Sequence, residues 1–262
     1  MKKAASDSWG DSHRRAMADL LLALAASPMG GKLGFKGGTA LYFFHGLDRF
    51  SVDLDFDWIA PKGGPDDFRS GLRAILSKRF PAWKIADSGD VAKSARLLCD
   101  YGGGRKLKVE VSWPVCPNRY VEKPLFGVPV TVMVPECMYA NKLAATYSRF
   151  LAKDALANRD LWDVRFFSKL GIKPDESVIR CRTARFPKGE MSAGEYFAFL
   201  RAFLVKNRKR FEPRVTDGLG DLLPTKSDRD RAKATLYPDV LAALEKESFL
   251  AGGSYEIQGD KA

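Results

Sequence analysis

The most informative segment of the sequence is residues 35–57, FKGGTALYFFHGLDRFSVDLDFD. A short strand that ends at Lys36 is predicted to run into a Gly37-Gly38-Thr39 turn, and a helix over residues 40–46 follows. The start of that helix offers unpaired backbone N–H groups and the Thr39 hydroxyl to a phosphate, and glycine lets the phosphate approach the backbone closely. Paired glycines are more often an ordinary turn, so this end of the stretch only suggests a phosphate site.

The other end of the stretch, residues 50–58, alternates like a strand. Successive strand side chains point to opposite faces, so Asp53, Asp55 and Asp57 share one face. Carboxylates on one face repel one another unless a cation or solvent compensates them. Divalent ions such as Mg²⁺ bind oxygen ligands and keep waters for substrate phosphates, and paired ions assist nucleotidyl transfer. A solvated acidic edge strand is the alternative, but the thirteen residues between Thr39 and Asp53 favour metal binding.

Glu110 is a candidate third carboxylate. In the predicted strand over residues 106–113, apolar side chains alternate with polar ones, and Glu110 lies on the polar face beside Lys108 and Ser112. Glu110 is therefore a candidate metal ligand, and a solvated strand face is the alternative interpretation.

The composition excludes several classes of site. The chain has 262 residues, of which 45% are hydrophobic and 29% charged, and this length and composition are typical of a globular protein with a sizeable core. Its net charge is +11. Two histidines rule out a multi-histidine metal site, and no Cys-x-x-Cys pair occurs, which argues against thiolate zinc and dithiol redox sites. The four scattered cysteines predict reduced side chains in a cytoplasmic protein. No apolar run approaches the ~18 residues of a membrane span, and Asp11 and Asp19 argue against a cleaved leader.

Strand and helix patterns predict two domains and a tail. Strands and helices alternate in the first half, which predicts an α+β domain over residues 1–135 with a small mixed sheet. Four helical segments without a convincing strand follow, which predicts a helical domain over residues 136–251. Residues 252–262 begin with paired glycines and are predicted to be a disordered tail.

The positive charge is concentrated in the middle of the chain. Residues 141–214 carry a net charge of +9, whereas residues 1–140 carry +5 and residues 215–262 carry −3. Clustered cations bind polyanions such as RNA through the release of counterions. A solvated basic helix face explains the charge alone equally well.

A Gly-Gly-Thr turn followed by an Asp-x-Asp strand resembles the nucleotidyltransferase fold of DNA polymerase β. The fuller pattern closely resembles the AbiEii/AbiGii toxin family of nucleotidyltransferases. The matching segments are residues 36–41, 49–51 and 53–56, with a second block at residues 141–149 and 159–163. Outside these segments the resemblance is thin.

The resemblance implies a polymerase β-like core followed by a helical domain that completes a cleft. It also implies a toxin of a bacterial toxin–antitoxin or phage-defence system. Such a toxin transfers nucleotides from an NTP to RNA, notably to tRNA 3′ ends, in the presence of Mg²⁺ or Mn²⁺, and has a cognate antitoxin as a partner.

The resemblance also assigns roles by position. Asp53 and Asp55 would hold the metal ion, and Gly38 and Thr39 would cradle the triphosphate. Lys142 would neutralise phosphate charge, and Asp160 would complete the active site, with Asp154 and Asp163 as rivals for that role. Arg49 and Ser51 either contact phosphate or orient their loop, and a purely structural role is the other interpretation of both.

Two other functions remain open at this point. The same fold hosts transferases that act on small molecules such as antibiotics, but a basic substrate would want an acidic acceptor pocket, and the basic middle region counts against one. A catalytically silent RNA- or partner-binding protein is the third hypothesis. It ranks last because Gly38, Thr39, Asp53 and Asp55 are all in place.

Overall fold

The computed structural model describes residues 9–91 and 94–250, without the side chains of Trp9 and residues 87–91. The predicted tail at 252–262 lies outside these residues. Contacts divide the described chain into two compact units. The first comprises the residues up to Gly46, Ser51–Val115 and Arg119–Met133, and the second comprises Leu47–Phe50, Cys116–Asn118 and the residues from Val134 onwards.

The first unit contains a seven-stranded mixed sheet and three helices. The strands are β1 (Leu33–Lys36), β2 (Asp53–Trp58), β3 (Lys84–Val91), β4 (Ser94–Asp100), β5 (Lys106–Ser112), β6 (Tyr120–Leu125) and β7 (Val128–Met133), and the helices are α1 (Trp9–Ala25), α2 (Gly37–His45) and α3 (Pro65–Arg79). The strand order is β3-β4-β5-β2-β1-β7-β6. β2 therefore lies at the centre of the sheet, antiparallel to β1 and parallel to β5.

The core of the first unit lies between the sheet and two helices. α1 and α3 pack on the sheet, and their apolar side chains, among them Leu20 and Leu72, are fully buried. The strand residues Leu54 and Phe56 are buried on the opposite face of β2 from the aspartates. Burial of this one face orients the acidic face of β2 away from the apolar core.

The second unit is helical. Its helices are α4 (Pro135–Lys153), α5 (Asn158–Lys169), α6 (Glu176–Thr183), α7 (Ala193–Lys206), α8 (Arg208–Phe211) and α9 (Lys226–Leu250). Aromatic rings fill its core: Tyr139 stacks on Phe167 with ring centroids 4.8 Å apart. The hydroxyl groups of the buried Tyr196 and Tyr237 donate hydrogen bonds to backbone carbonyls. No helix in the described part of the chain is both long and apolar enough to span a lipid bilayer.

The cysteine prediction is wrong for one pair. Cys116 and Cys181, which are 65 residues apart in the chain, form a disulfide, whereas the sequence predicts four reduced side chains. Cys99 and Cys137 are buried thiols. Spacing along the chain could not show the pairing, because it is the fold of the second unit that brings segment 116–118 beside α6.

Candidate active site

The acidic face of the sheet, which we define as Asp53, Asp55 and Asp57 of β2 with Glu110 of β5, is built by strand register. β2 and β5 run parallel with Asp55 directly beside Glu110. Neighbours in register share a face, so the four carboxylates form one patch. The sequence predicts the alternation in each strand separately, and the structure makes the strands neighbours.

Asp57 lies at the buried end of this face. Its side chain is 2% exposed, and two groups from other strands satisfy it. Lys36 Nζ lies 2.6 Å from Asp57 Oδ1, and the Tyr120 hydroxyl donates to Asp57 Oδ2 at 2.6 Å. The Tyr120 ring crosses the sheet over Gly34, where a Cβ atom would lie only 2.3 Å from it. Asp57 is therefore a structural anchor for the sheet.

Asp53 and Glu110 share a cation. Lys108 Nζ lies 3.0 Å from Asp53 Oδ2 and 3.6 Å from Glu110 Oε2. Glu110 also accepts a hydrogen bond from Arg96 Nε at 2.9 Å. Burial alone raises the pKa of Glu110, but its hydrogen bond with Arg96 and the charges of Lys108 and Arg96 together lower the pKa below the usual value.

Asp55 has a different electrostatic environment from its neighbours. Among the described residues it makes no ion pair, although Lys108 and Lys36 exert a long-range attraction. Loss of water raises the pKa of Asp55, and repulsion from Asp53 raises it further. The ionised form of Asp55 therefore gains from an added cation.

The glycine turn proves to be the first turn of a helix. α2 begins at Gly37, three residues earlier than the predicted start, and no side chain caps its first N–H groups. Gly37 has a φ of +82°, and a Cβ atom there would lie 2.7 Å from Asp55 Oδ2. Glycine is therefore required at this position, both for the backbone conformation and to let the helix start lie against Asp55. Sequence reasoning assigned Gly38 to the site and missed Gly37, although the same motif contains both.

Thr39 and Ser51 connect the helix start to β2. Thr39 is fully buried, and its hydroxyl lies 2.9 Å from Ser51 Oγ and also contacts the Asp53 carbonyl oxygen. The hydroxyl therefore holds the residue that begins β2 and does not point outward to a phosphate. The backbone N–H groups at the start of α2, which no side chain caps, are the donors of this motif that could bind an anion.

A second set of predicted residues meets in the helical unit. The ion cluster, which we define as Arg49, Lys142, Arg149, Asp160 and Asp163, joins α4 and α5 to the segment 47–50. Arg49 is buried, and its Nε and Nη2 atoms donate to the two oxygens of Asp163 at 2.8 and 2.7 Å. Arg49 Nη1 also donates to the Phe50 carbonyl. The guanidinium is thus buried and donates hydrogen bonds to groups of its own unit.

Both aspartates of the ion cluster are fully buried. Lys142 Nζ lies 2.8 Å from Asp163 Oδ2 and 3.2 Å from Asp160 Oδ1, and Arg149 Nη1 lies 2.8 Å from Asp160 Oδ2. Burial alone raises the pKa of Asp163, but the charges of Arg49 and Lys142 and their hydrogen bonds together lower it. Asp160 and Asp163 therefore share the ammonium of Lys142. Asp154, the other candidate for the carboxylate of the helical domain, lies outside this cluster, where it is exposed and paired with Arg210.

The acidic face fits a divalent ion with few protein ligands. Among the described residues, no three His, Cys, Asp or Glu side chains are placed to hold one metal ion together. The half-buried Asp53 and Asp55 still provide the all-oxygen donor set that Mg²⁺ prefers, and one or two carboxylates plus waters and substrate phosphates are its usual ligands. The role of Glu110 as a further ligand stays a prediction.

Three partner residues of the acidic face were missed by sequence reasoning. Lys36, Arg96 and Lys108 each pair with one of its carboxylates. A basic residue at an alternating strand position is the only signal for them in the sequence. That signal does not say which carboxylate will be the partner.

Comparisons with known proteins identify the family and the fold of the chain. The chain matches the family described as "Nucleotidyl transferase AbiEii toxin, Type IV TA system" over residues 19–246. JHP933 from Helicobacter pylori is 21% identical with a TM-score of 0.56, covering 93% of this chain and 95% of that one. MenT4, a nucleotidyltransferase toxin from Mycobacterium tuberculosis H37Rv, is 19% identical with a TM-score of 0.50, covering 91% and 87%. No curated protein matches the sequence. These likenesses confirm the predicted fold class.

Proposed function

Because the chain belongs to the AbiEii family of nucleotidyltransferase toxins of type IV toxin–antitoxin systems, we propose that it transfers nucleotides from an NTP to RNA in a Mg²⁺-dependent reaction. The acceptor is proposed to be the 3′ end of a tRNA. The observation that carries the proposal is the acidic face, where four carboxylates meet three cations and Asp55 has no ion-pair partner among the described residues.

The metal ligands in this proposal are Asp53 and Asp55, with Glu110 as a third carboxylate once it is released from Lys108. When bound there, a divalent ion would neutralise the triphosphate and activate the attacking hydroxyl. The backbone N–H groups at Gly37 and Gly38 bind phosphate oxygens, because they are the uncapped donors at the start of α2. Thr39 and Ser51 position Asp53 through their hydrogen bonds.

The ion cluster supplies positive charge. It contains three cations and two carboxylates, so its formal charge is +1. Lys142 is 14% exposed and is the proposed phosphate-neutralising group, while Asp160 and Asp163 hold its ammonium in place. Arg49 acts through Asp163 and not by direct contact, since its side chain is only 2% exposed and its three nitrogens all donate to groups inside the unit.

RNA binding is proposed for the helical unit. Many of the cations in residues 141–214 are neutralised locally, for example Arg208 by Glu212 and Arg210 by Asp154. The exposed Lys153, Lys169, Arg185 and Lys209 and the half-buried Arg159 make no ion pair within the described residues, and unpaired cations at a surface are the groups that bind RNA phosphates. This surplus favours a polyanionic acceptor over a basic small molecule.

The test is a transfer assay with the full chain, each of the four labelled NTPs, Mg²⁺ and total tRNA. We expect the wild type to label RNA with at least one nucleotide and Asp53→Asn to lose the label. Asp154→Asn is the matched control, because it removes an aspartate that lies outside both charged sets. Absence of label with every nucleotide, or equal labelling by Asp53→Asn, refutes the proposal.

The cellular role is proposed on the same basis. Expression of the wild type in a bacterium is expected to arrest growth, and a cognate antitoxin encoded beside it is expected to relieve the arrest. If the system acts in phage defence, cells that carry the wild type are expected to yield fewer phage. Asp53→Asn is the matched control for both phenotypes. Growth arrest that persists in this variant would show that the toxicity does not come from nucleotidyl transfer.

A further inference from the structure

Lys108 lies between two carboxylates of the acidic face. It is the β5 residue directly beside Asp53 in the parallel register. Its half-buried ammonium lies between Asp53 Oδ2 at 3.0 Å and Glu110 Oε2 at 3.6 Å. A cation therefore already bridges two of the carboxylates that the proposed function assigns to metal binding.

The other cations of this face have different partners. Lys36 pairs with Asp57, and Arg96 pairs with Glu110. Within the described residues, Lys108 is the cation that forms an ion pair with Asp53. Arg96 would continue to neutralise Glu110 if Lys108 were removed, whereas Asp53 would lose its counter-ion.

We propose that Lys108 is a built-in counter-ion that a divalent metal must displace from Asp53, so that this side chain sets the metal affinity of the site. The inference rests on the proposed function for the identity of the metal ligands. An ammonium and a divalent ion compete for the same carboxylate oxygens. The flexible four-carbon stem of lysine lets the ammonium leave without any movement of the strand, and exposure of about a third of the side chain gives it a path into solvent.

The same placement implies a benefit for the protein. Without Lys108, repulsion among Asp53, Asp55 and Glu110 would be greater, since Asp53 would then have no ion-pair partner within the described residues. Lys108 therefore stabilises the folded sheet at the cost of metal affinity. Removal of its charge is expected to change these two properties in opposite directions.

The test measures Mn²⁺ binding to the full chain by electron paramagnetic resonance, without NTP or RNA. Lys108→Gln is expected to bind Mn²⁺ roughly tenfold more tightly than the wild type. A full unit charge at contact distance would predict more, but solvent screens a partly exposed pair. Lys108→Arg keeps the charge and is expected to stay within about threefold of the wild type.

Lys106→Gln is the matched control. Lys106 lies two residues earlier on the same face of β5, is exposed and makes no ion pair within the described residues. It removes the same charge from the protein without freeing Asp53, so its Mn²⁺ affinity is expected to remain within about twofold of the wild type. Equal tightening in both variants would reveal a general charge effect and overturn the proposal.

Unchanged or weaker Mn²⁺ binding by Lys108→Gln also overturns the proposal, as does the absence of measurable binding in every variant. Thermal melts verify folding, and if Lys108→Gln is unfolded, Lys108→Met carries the same test with an apolar stem. The Mn²⁺-binding and RNA-labelling assays test the two proposals separately. Tighter Mn²⁺ binding by Lys108→Gln without any nucleotide transfer by the wild type supports the role of Lys108 and refutes the proposed function. Nucleotide transfer with unchanged Mn²⁺ affinity supports the proposed function and refutes the role of Lys108.

Discussion

The acidic face of β2 and the ion cluster of α4 and α5 both remove aspartates from water, but their charges balance in opposite directions. The acidic face has four carboxylates against Lys36, Arg96 and Lys108. The ion cluster has two carboxylates against Arg49, Lys142 and Arg149. The first set therefore has an excess of negative charge, and the second has an excess of positive charge.

The pKa directions follow this difference. Desolvation and the charge of Asp53 raise the pKa of Asp55. Desolvation also acts on Asp163, but Arg49 and Lys142 outweigh it and lower the pKa. The fully buried Asp163 and the half-buried Asp55 thus serve different purposes: Asp163 neutralises cations within the fold, whereas the ionised form of Asp55 gains from an added cation.

The Asp163→Asn substitution is expected to cause the largest loss of stability. The change leaves the buried Arg49 and the half-buried Lys142 without their shared anion, and removing one partner of a buried ion pair typically costs about 3–5 kcal/mol of unfolding free energy. Urea denaturation at pH 7 measures the loss. Folding lowers the pKa of Asp163, so the ionised carboxylate stabilises the folded protein fully at pH values above the ordinary carboxyl pKa. The difference in unfolding free energy between wild type and variant should therefore narrow as the pH falls through the pKa of Asp163 in the folded protein.

Asp154→Asn is the control for that experiment. Asp154 is exposed, and its surface ion pair with Arg210 is expected to contribute nothing measurable. A similar loss of stability in both variants would show that burial of the ion cluster is not what makes Asp163 important.

The Cys116–Cys181 disulfide is a covalent cross-link within the helical unit. It closes a 65-residue separation in the unit that holds the ion cluster, and cross-links of this length typically contribute roughly 2–4 kcal/mol. Dithiothreitol is therefore expected to lower the unfolding free energy of the wild type by this amount. The Cys116→Ser/Cys181→Ser double variant should be insensitive to the reductant. If reductant changes neither protein, the disulfide does not contribute to stability.

Gly37→Ala probes the acidic face from the side of the phosphate-binding helix. A residue with a side chain in this left-handed conformation costs about 1–3 kcal/mol, and the new methyl group would also press on Asp55. We expect lower stability together with loss of RNA labelling. Gly46→Ala is the matched control, because Gly46 also has a positive φ but has open space around its Cβ position. Equal labelling by both variants would mean that contact with Asp55 is unimportant.

Asp55→Asn is expected to give the smallest change in stability, with the opposite sign. The pKa of Asp55 is raised above its ordinary value of 3.8 in the folded protein, so its ionisation opposes folding above that range. The variant should melt at a higher temperature than the wild type at pH 7, and the difference should vanish as the pH falls toward 3.8. RNA labelling should be lost at every pH. A lower melting temperature at pH 7 would contradict this account of the acidic face.

The sequence predicted the central strands and most helices, because their residues repeat with the period of a buried face. It missed β3 and β6, which are the edges of the sheet. β6 contains charged residues and Pro124, and edge strands of this kind lack a strong apolar alternation. The first turns of α9, from Lys226 onward, are mostly polar, so they lack the apolar repeat from which a helix is predicted.

The residues of the site could likewise be predicted only in part. Alternation placed Asp53, Asp55 and Asp57 on one face, and the resemblance singled out Lys142 and Asp160. Their grouping with residues of other segments had no local signal.

The amino-acid sequence is enough to show which side chains carry charge and which face of a strand or helix they occupy, because these properties depend on near neighbours and on backbone period. Which of these charges meet depends on the tertiary fold. Lys36 and Asp57 are 21 residues apart, and Arg49 and Asp163 are 114 apart. Such pairs depend on strand register and helix packing, which are set by burial across the whole unit. The difference between an anchored aspartate and one that favours a metal ion arises at that level.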